Sequence, residues 1–181
     1  MKRLTTARMA CVLSVLPLLL SLAQAQVHDE RAVKAAFVYN LTKYVEWPEP
    51  SNDMVIGFVG EGSMGEVLKG MLDGKTSESR TIHVLLSPAD PELEHCMVLY
   101  IADPSPKKMR AALDRVRNKN ILTVGETESF VRDGGMIGLV TVGDHVQIQV
   151  SLEVTRESRL KISSRLLSIA AVIQPTSVGR D

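Results

Sequence analysis

Cysteine is nearly absent, with Cys11 and Cys96 the only two in 181 residues. Neither sign of charge is in excess, at 21 Lys and Arg against 21 Asp and Glu. Aromatic residues are few: three Phe, three Tyr and one Trp. There is a single long apolar run, Val12 to Leu22, and it is too short to span a bilayer comfortably. The chain has no internal repeat and no low-complexity tract.

Each scarcity excludes something. The apolar run is preceded by Lys2, Arg3 and Arg8, and Ala23-Gln24-Ala25 places small residues where a signal peptidase reads, so residues 1–25 are expected to be a cleaved export signal. Cys11 precedes the apolar run, where it is badly placed for a lipoprotein anchor. The signal takes three of the 21 basic residues and no acidic one, which leaves 18 basic against 21 acidic. That mildly acidic balance argues against a general nucleic-acid binder. Cleavage also leaves Cys96 alone, so no intramolecular disulfide can form even in an oxidising compartment. Stability must come from a packed core, and residues 26–181 suffice for one such core and one domain.

The pattern along the chain alternates. Val33, Ala36, Phe37, Asn40, Leu41 and Tyr44 fall at helical spacing and predict one buried helix face, ended by Pro48 and Pro50. "MVIGFVG" (54–60), "TIHVLL" (81–86), "CMVLYIA" (96–102) and "NILTVG" (120–125) read as strands. Helices are expected over 64–72 and over the basic stretch "PKKMRAALDRVRNK", with Met109, Leu113 and Val116 on one side. "MIGLVTVGDHVQIQV" breaks at Gly143-Asp144 into a hairpin, and a last helix starts near Ser164, capped by Ser163 or Ser164. Strands separated by helices predict an α/β fold: one compact domain with a mainly parallel sheet flanked by helices and a C-terminal hairpin.

Chemistry is harder to find. Gly60-Glu61-Gly62-Ser63-Met64-Gly65 fits a dinucleotide fingerprint between strand and helix, but no acidic residue ends the next strand, Leu85-Leu86-Ser87. A glycine-rich turn is the reading, with anion binding at its N–H groups left open. His28, His83, His95 and His145 have no metal-ligand spacing, and Glu94-His95-Cys96 alternate across a strand. Cys96 reads as a core residue. There is no G-x-S-x-G elbow for a serine hydrolase. No catalytic, cofactor or metal residue is assigned, and the weight shifts to a binding protein.

Four of the seven aromatic residues stand in "VKAAFVYNLTKYVEWP" (33–48): Phe37, Tyr39, Tyr44 and Trp47. On the expected helix Phe37, Leu41 and Tyr44 anchor the core, and Asn40 must find partners for a buried amide. Tyr39 points away, and Trp47 sits at the end. Exposed aromatics of that kind are contact anchors.

This segment resembles the signature "KAAFLYNFxKFVEWP" of the YfiR-like family of exported bacterial proteins. The likeness continues through "HCMVLYIADP", "ILTVGETESFVRDGGMIGLV" and "LKISSRLLSIA", in the family's order. It implies a periplasmic, often self-associating α/β regulator. Such a protein represses an inner-membrane diguanylate cyclase by binding its sensory region, and an outer-membrane lipoprotein can titrate it away. Two positions depart from the family: Ser151 stands where an asparagine usually ends the strand, and Arg159 replaces a glycine. Cys96 matches a family cysteine whose partner is missing. The expectation is therefore a non-enzymatic repressor and homodimer with candidate contacts at Tyr39, Trp47 and Arg165, and with no cofactor, metal or nucleic acid. A periplasmic small-ligand receptor, using loops such as 60–65 as its pocket, is the alternative.

Overall fold

Continuous apolar runs of five to eight residues bury both faces of a strand, and such strands need helices on either side. The computed structural model of this protein describes residues 30–49 and 51–175. The expected export signal lies outside the described residues. Helix α1 (30–44) runs into β1 (Val45–Glu46), and then come β2 (Asp53–Gly60) and α2 (Met64–Leu72). A small hairpin of β3 (Thr76–Ser77) and β4 (Arg80–Leu86) is followed by α3 (Asp90–Leu93), β5 (Val98–Ala102), α4 (Pro106–Arg115) and β6 (Leu122–Gly125). The expected C-terminal hairpin is β7 (Ile137–Val142) with β8 (His145–Val150). It turns at Gly143, whose φ of 63° suits a tight turn with glycine first. The chain closes with α5 (Leu152–Glu157), β9 (Lys161–Ile162), α6 (Ser164–Leu167) and β10 (Ala171–Val172).

Eight strands form one sheet in the order β10-β8-β7-β6-β5-β2-β4-β3, while β1 and β9 pair separately and antiparallel. Strands β4, β2, β5, β6 and β7 are mutually parallel. In chain order they are second, first, third, fourth and fifth, the flavodoxin-like doubly wound arrangement. The antiparallel strands stand outside this parallel block. The α/β expectation, mainly parallel with a C-terminal hairpin, holds.

Each face of the sheet has its own core. Met54, Ile56 and Phe58 of β2 join α1, α2 and the C-terminal elements through Val38, Leu41, Leu68 and Leu166. Val55 and Val59 face the other way, toward Leu93 of α3 and Met109, Ala112 and Leu113 of α4. Each fully buried leucine or valine stabilises the fold by about 1.5–3 kcal/mol relative to exposure. Phe130 is wholly buried between two glycines: a Cβ on Gly125 would lie 2.3 Å from its ring, and one on Gly135 2.2 Å. That contact explains the spacing of the two glycines around "ETESFVRDG".

Candidate partner-contact surface

Helix α1 is rotated from its expected setting by about a third of a turn, at 100° per residue. The residues it buries are Lys34, Ala35, Val38, Leu41 and Thr42, followed by Val45 of β1. Val33 is 40% exposed, and Ala36 and Asn40 are exposed as well, so no buried amide has to be satisfied at Asn40. Phe37 and Tyr44 are half-buried. Hydropathy misplaced the face because two of its buried positions are polar. Both have partners: Thr42 donates to Tyr39 O at 2.7 Å, and its Oγ1 is hydrogen-bonded to Ser77 Oγ at 2.7 Å. Lys34 places its Nζ 2.7 Å from both Glu30 and Glu126.

Lys34 belongs to a polar clasp over the carboxyl ends of the parallel strands. Glu30 accepts from Thr141 of β7 at 2.6 Å, and Arg31 bonds Ser63 at the start of α2. Burial works to lower the Lys34 pKa, but its hydrogen bonds to Glu126 and Glu30 outweigh burial and hold the ammonium above its ordinary range. The bonds from Lys34 and then Thr141 hold the Glu30 carboxyl below its ordinary range. Beneath lies Tyr100, wholly buried, stacked near Phe58 with ring centroids 6.1 Å apart. Its hydroxyl meets no partner at hydrogen-bond geometry among the described residues. Burial first, and the facing Glu126 second, push that phenol far above its ordinary range. In this strand order the crevice between β2 and β5 is where ligands enter; here α1 lies across it.

The three candidate contact residues occupy different places. Tyr39 does not point freely outward: it is half-buried, donates to Thr76 O at 3.0 Å and carries Lys43 over its ring at 4.2 Å. It is tied to the β3 edge. Trp47 sits at the amino ends of the strands, where its Nε1 donates to Met97 O at 3.2 Å and Arg80 lies 5.5 Å from its ring centroid. Arg165 is exposed on α6, which docks beside α1 through Ser163 N–H to Tyr44 O at 2.9 Å. Trp47 also walls an open cavity of about 540 Å³ together with His95, Lys119, Asn120 and Arg159. Sequence reasoning missed this cavity, because its lining comes from separated segments.

The remaining motifs resolve into packing. A Cβ on Gly60 (φ 144°) would lie 2.4 Å from Ala102 O, and one on Gly65 2.7 Å from the Phe58 ring, so the glycine-rich turn is required by close approach. No cluster of three potential metal ligands exists among the described residues. Cys96 is buried, and burial pushes its thiol up to about 11. Ser151 takes over the cap of α5, its hydroxyl accepting from Val154 N–H at 3.3 Å. Arg159 has φ 55°, a left-handed residue where glycine is favoured. Ser163 caps α6 as expected, accepting from Leu166 N–H.

Fold and surface together define a doubly wound α/β protein whose distinctive residues are spent on packing and docking. A YfiR/HmsC-like family profile matches residues 31–171, and the chain belongs to that family. The family is regulatory and periplasmic, and it acts through contact with inner-membrane signalling proteins. No described helix is long and apolar enough to cross a membrane. No curated protein matches the chain.

Proposed function

We propose that this protein is a periplasmic, non-enzymatic repressor, exported by its N-terminal signal. It binds the periplasmic sensory region of an inner-membrane diguanylate cyclase and keeps cyclic-di-GMP synthesis low, and an outer-membrane lipoprotein titrates it away. The family match over 31–171 carries this reading, since it spans nearly every described element from α1 to β10. Trp47 and Arg165 are the candidate contacts, with the exposed part of the Tyr39 ring beside them. Deleting the gene is expected to raise cyclic-di-GMP and biofilm formation. Unchanged signalling in the deletion, with candidate cyclases expressed, would overturn the reading.

The Trp47 cavity favours a second reading, a small-ligand receptor, although at the opposite end of the sheet from the 60–65 loop. Saturable stabilisation of the pure protein by a small molecule, lost in Trp47→Ala, would support it.

A further inference from the structure

Helix α5 ends in a Schellman turn, in which Leu160 N–H donates to Thr155 O at 3.2 Å and Arg159 N–H to Arg156 O at 2.9 Å. Such a turn needs one left-handed residue, and glycine fills that place without strain. Here the residue is Arg159, with φ 55°. Arg159 lines the Trp47 cavity, where it is exposed and its guanidinium meets no carboxylate or other acceptor among the described residues. The neighbouring cations are engaged. Lys119 lies 3.4 Å from Glu94, and Arg80 is paired with Glu78 and lies over the Trp47 ring. A second left-handed residue, Asn118 (φ 59°), lines the same cavity.

Backbone strain held beside a cavity points to a use for the side chain that stands there. A guanidinium is a planar fork of donors that fits a carboxylate with two parallel hydrogen bonds. Glu49 lines the cavity as well, so a dianion such as a phosphate ester meets repulsion, whereas a single negative charge is balanced by Arg159. Trp47, held by its Nε1 bond to Met97 O, supplies an apolar wall together with Pro48 and Ile121. The volume of about 540 Å³ has room for a small organic molecule. We propose that this cavity binds a small monocarboxylate, its carboxylate on Arg159 and its short apolar body against Trp47 and Ile121. The inference rests on the receptor reading of the cavity and adds the chemical class of the ligand.

Trp47 is the only tryptophan of the chain, so its fluorescence reports on the cavity directly. The chain from Gln26 onward is titrated with hexanoate and with its uncharged counterpart hexanamide, at pH 8, where ordinary imidazoles carry no charge. Hexanoate should change the emission saturably, and hexanamide should bind about tenfold more weakly or worse. Arg159→Gly should weaken hexanoate binding about tenfold or more. The same variant should melt no lower than wild type, because glycine relieves the left-handed strain. Arg159→Lys keeps the charge without the fork and should retain part of the binding. An Arg159→Gly variant that binds hexanoate as wild type does, or that melts far below it, would overturn the proposal. So would the lack of any saturable response to monocarboxylates from butyrate to octanoate. Equal binding of hexanoate and hexanamide would overturn it too, while leaving the receptor reading in place.

Discussion

Gly57 stands on β2 directly beside the lone thiol. A Cβ placed there would lie 2.9 Å from Cys96 Sγ, with Leu99 at 3.1 Å and Pro88 at 3.2 Å. In a disulfide the sulfurs are about 2.05 Å apart and the Cβ atoms about 3.8 Å, which sets each Cβ about 3 Å from the opposite sulfur, the separation the Gly57 site offers. Gly57→Cys should therefore oxidise to an intramolecular disulfide with Cys96. It would close a loop of about 40 residues, for which chain entropy gives about 4 kcal/mol. Crowding against Leu99 and Pro88 subtracts from this, leaving about 2–3 kcal/mol, or about 5–10 °C in Tm for a domain of this size. The assay is a thiol count in denaturant and a melting scan with and without reductant. In the chain from Gln26 onward, the oxidised variant should have no free thiol and a raised Tm that reductant reverses, while wild type keeps the single Cys96 thiol and a reductant-insensitive Tm. Two free thiols after treatment with oxidant would refute the placement of β2 against the start of β5.

Lys34→Met should cost about 1–3 kcal/mol at neutral pH, because it leaves two half-buried carboxylates without the ammonium that joins them. Glu30 is depressed when folded, so its contribution is complete above its ordinary value of 4.5 and is lost as pH falls through its lower folded value. Melting curves against pH should show the gap between wild type and Lys34→Met narrowing in acid, and a constant gap would contradict the clasp. Tyr100→Phe removes a buried hydroxyl that meets no partner at hydrogen-bond geometry among the described residues, and should leave Tm unchanged or raise stability by up to about 1 kcal/mol; a large loss in chemical denaturation would mean the hydroxyl is bonded. Gly125→Ala drives a methyl into the Phe130 ring and should destabilise by about 1–3 kcal/mol or more by the same measurement.

The parts of the fold that were legible were those with long, uniform signals. The run at 54–60 is apolar because β2 lies inside the sheet, that at 81–86 because β4 turns Ile82 and Val84 into the core, and the break at Gly143-Asp144 marked the hairpin. The face of α1 was not legible. Val33 and Ala36 are apolar yet exposed, while Lys34 and Thr42 are polar yet buried with partners supplied by distant residues, Glu126 and Ser77. Composition along a helix cannot show a partner that arrives from elsewhere in the chain. The β3–β4 hairpin was also hidden, since Glu78 (φ 49°) and Ser79 (φ 69°) adopt the turn without the usual Gly or Asn. Two-residue strands such as β9 and β10 are too short for any periodicity. The place of Trp47 after α1 could be read from its position before Pro48, but the tie of Tyr39 to Thr76 required the sheet order.

The most direct test of the regulatory account is co-purification from membranes with a tagged chain beginning at Gln26, followed by a cyclase assay on the recovered complex. The account predicts an inner-membrane diguanylate cyclase in the eluate, with synthesis of cyclic-di-GMP suppressed while this protein is bound and restored when it is removed. Recovery of no signalling protein from membranes that contain such cyclases, or of a cyclase whose activity is the same bound and free, would contradict it.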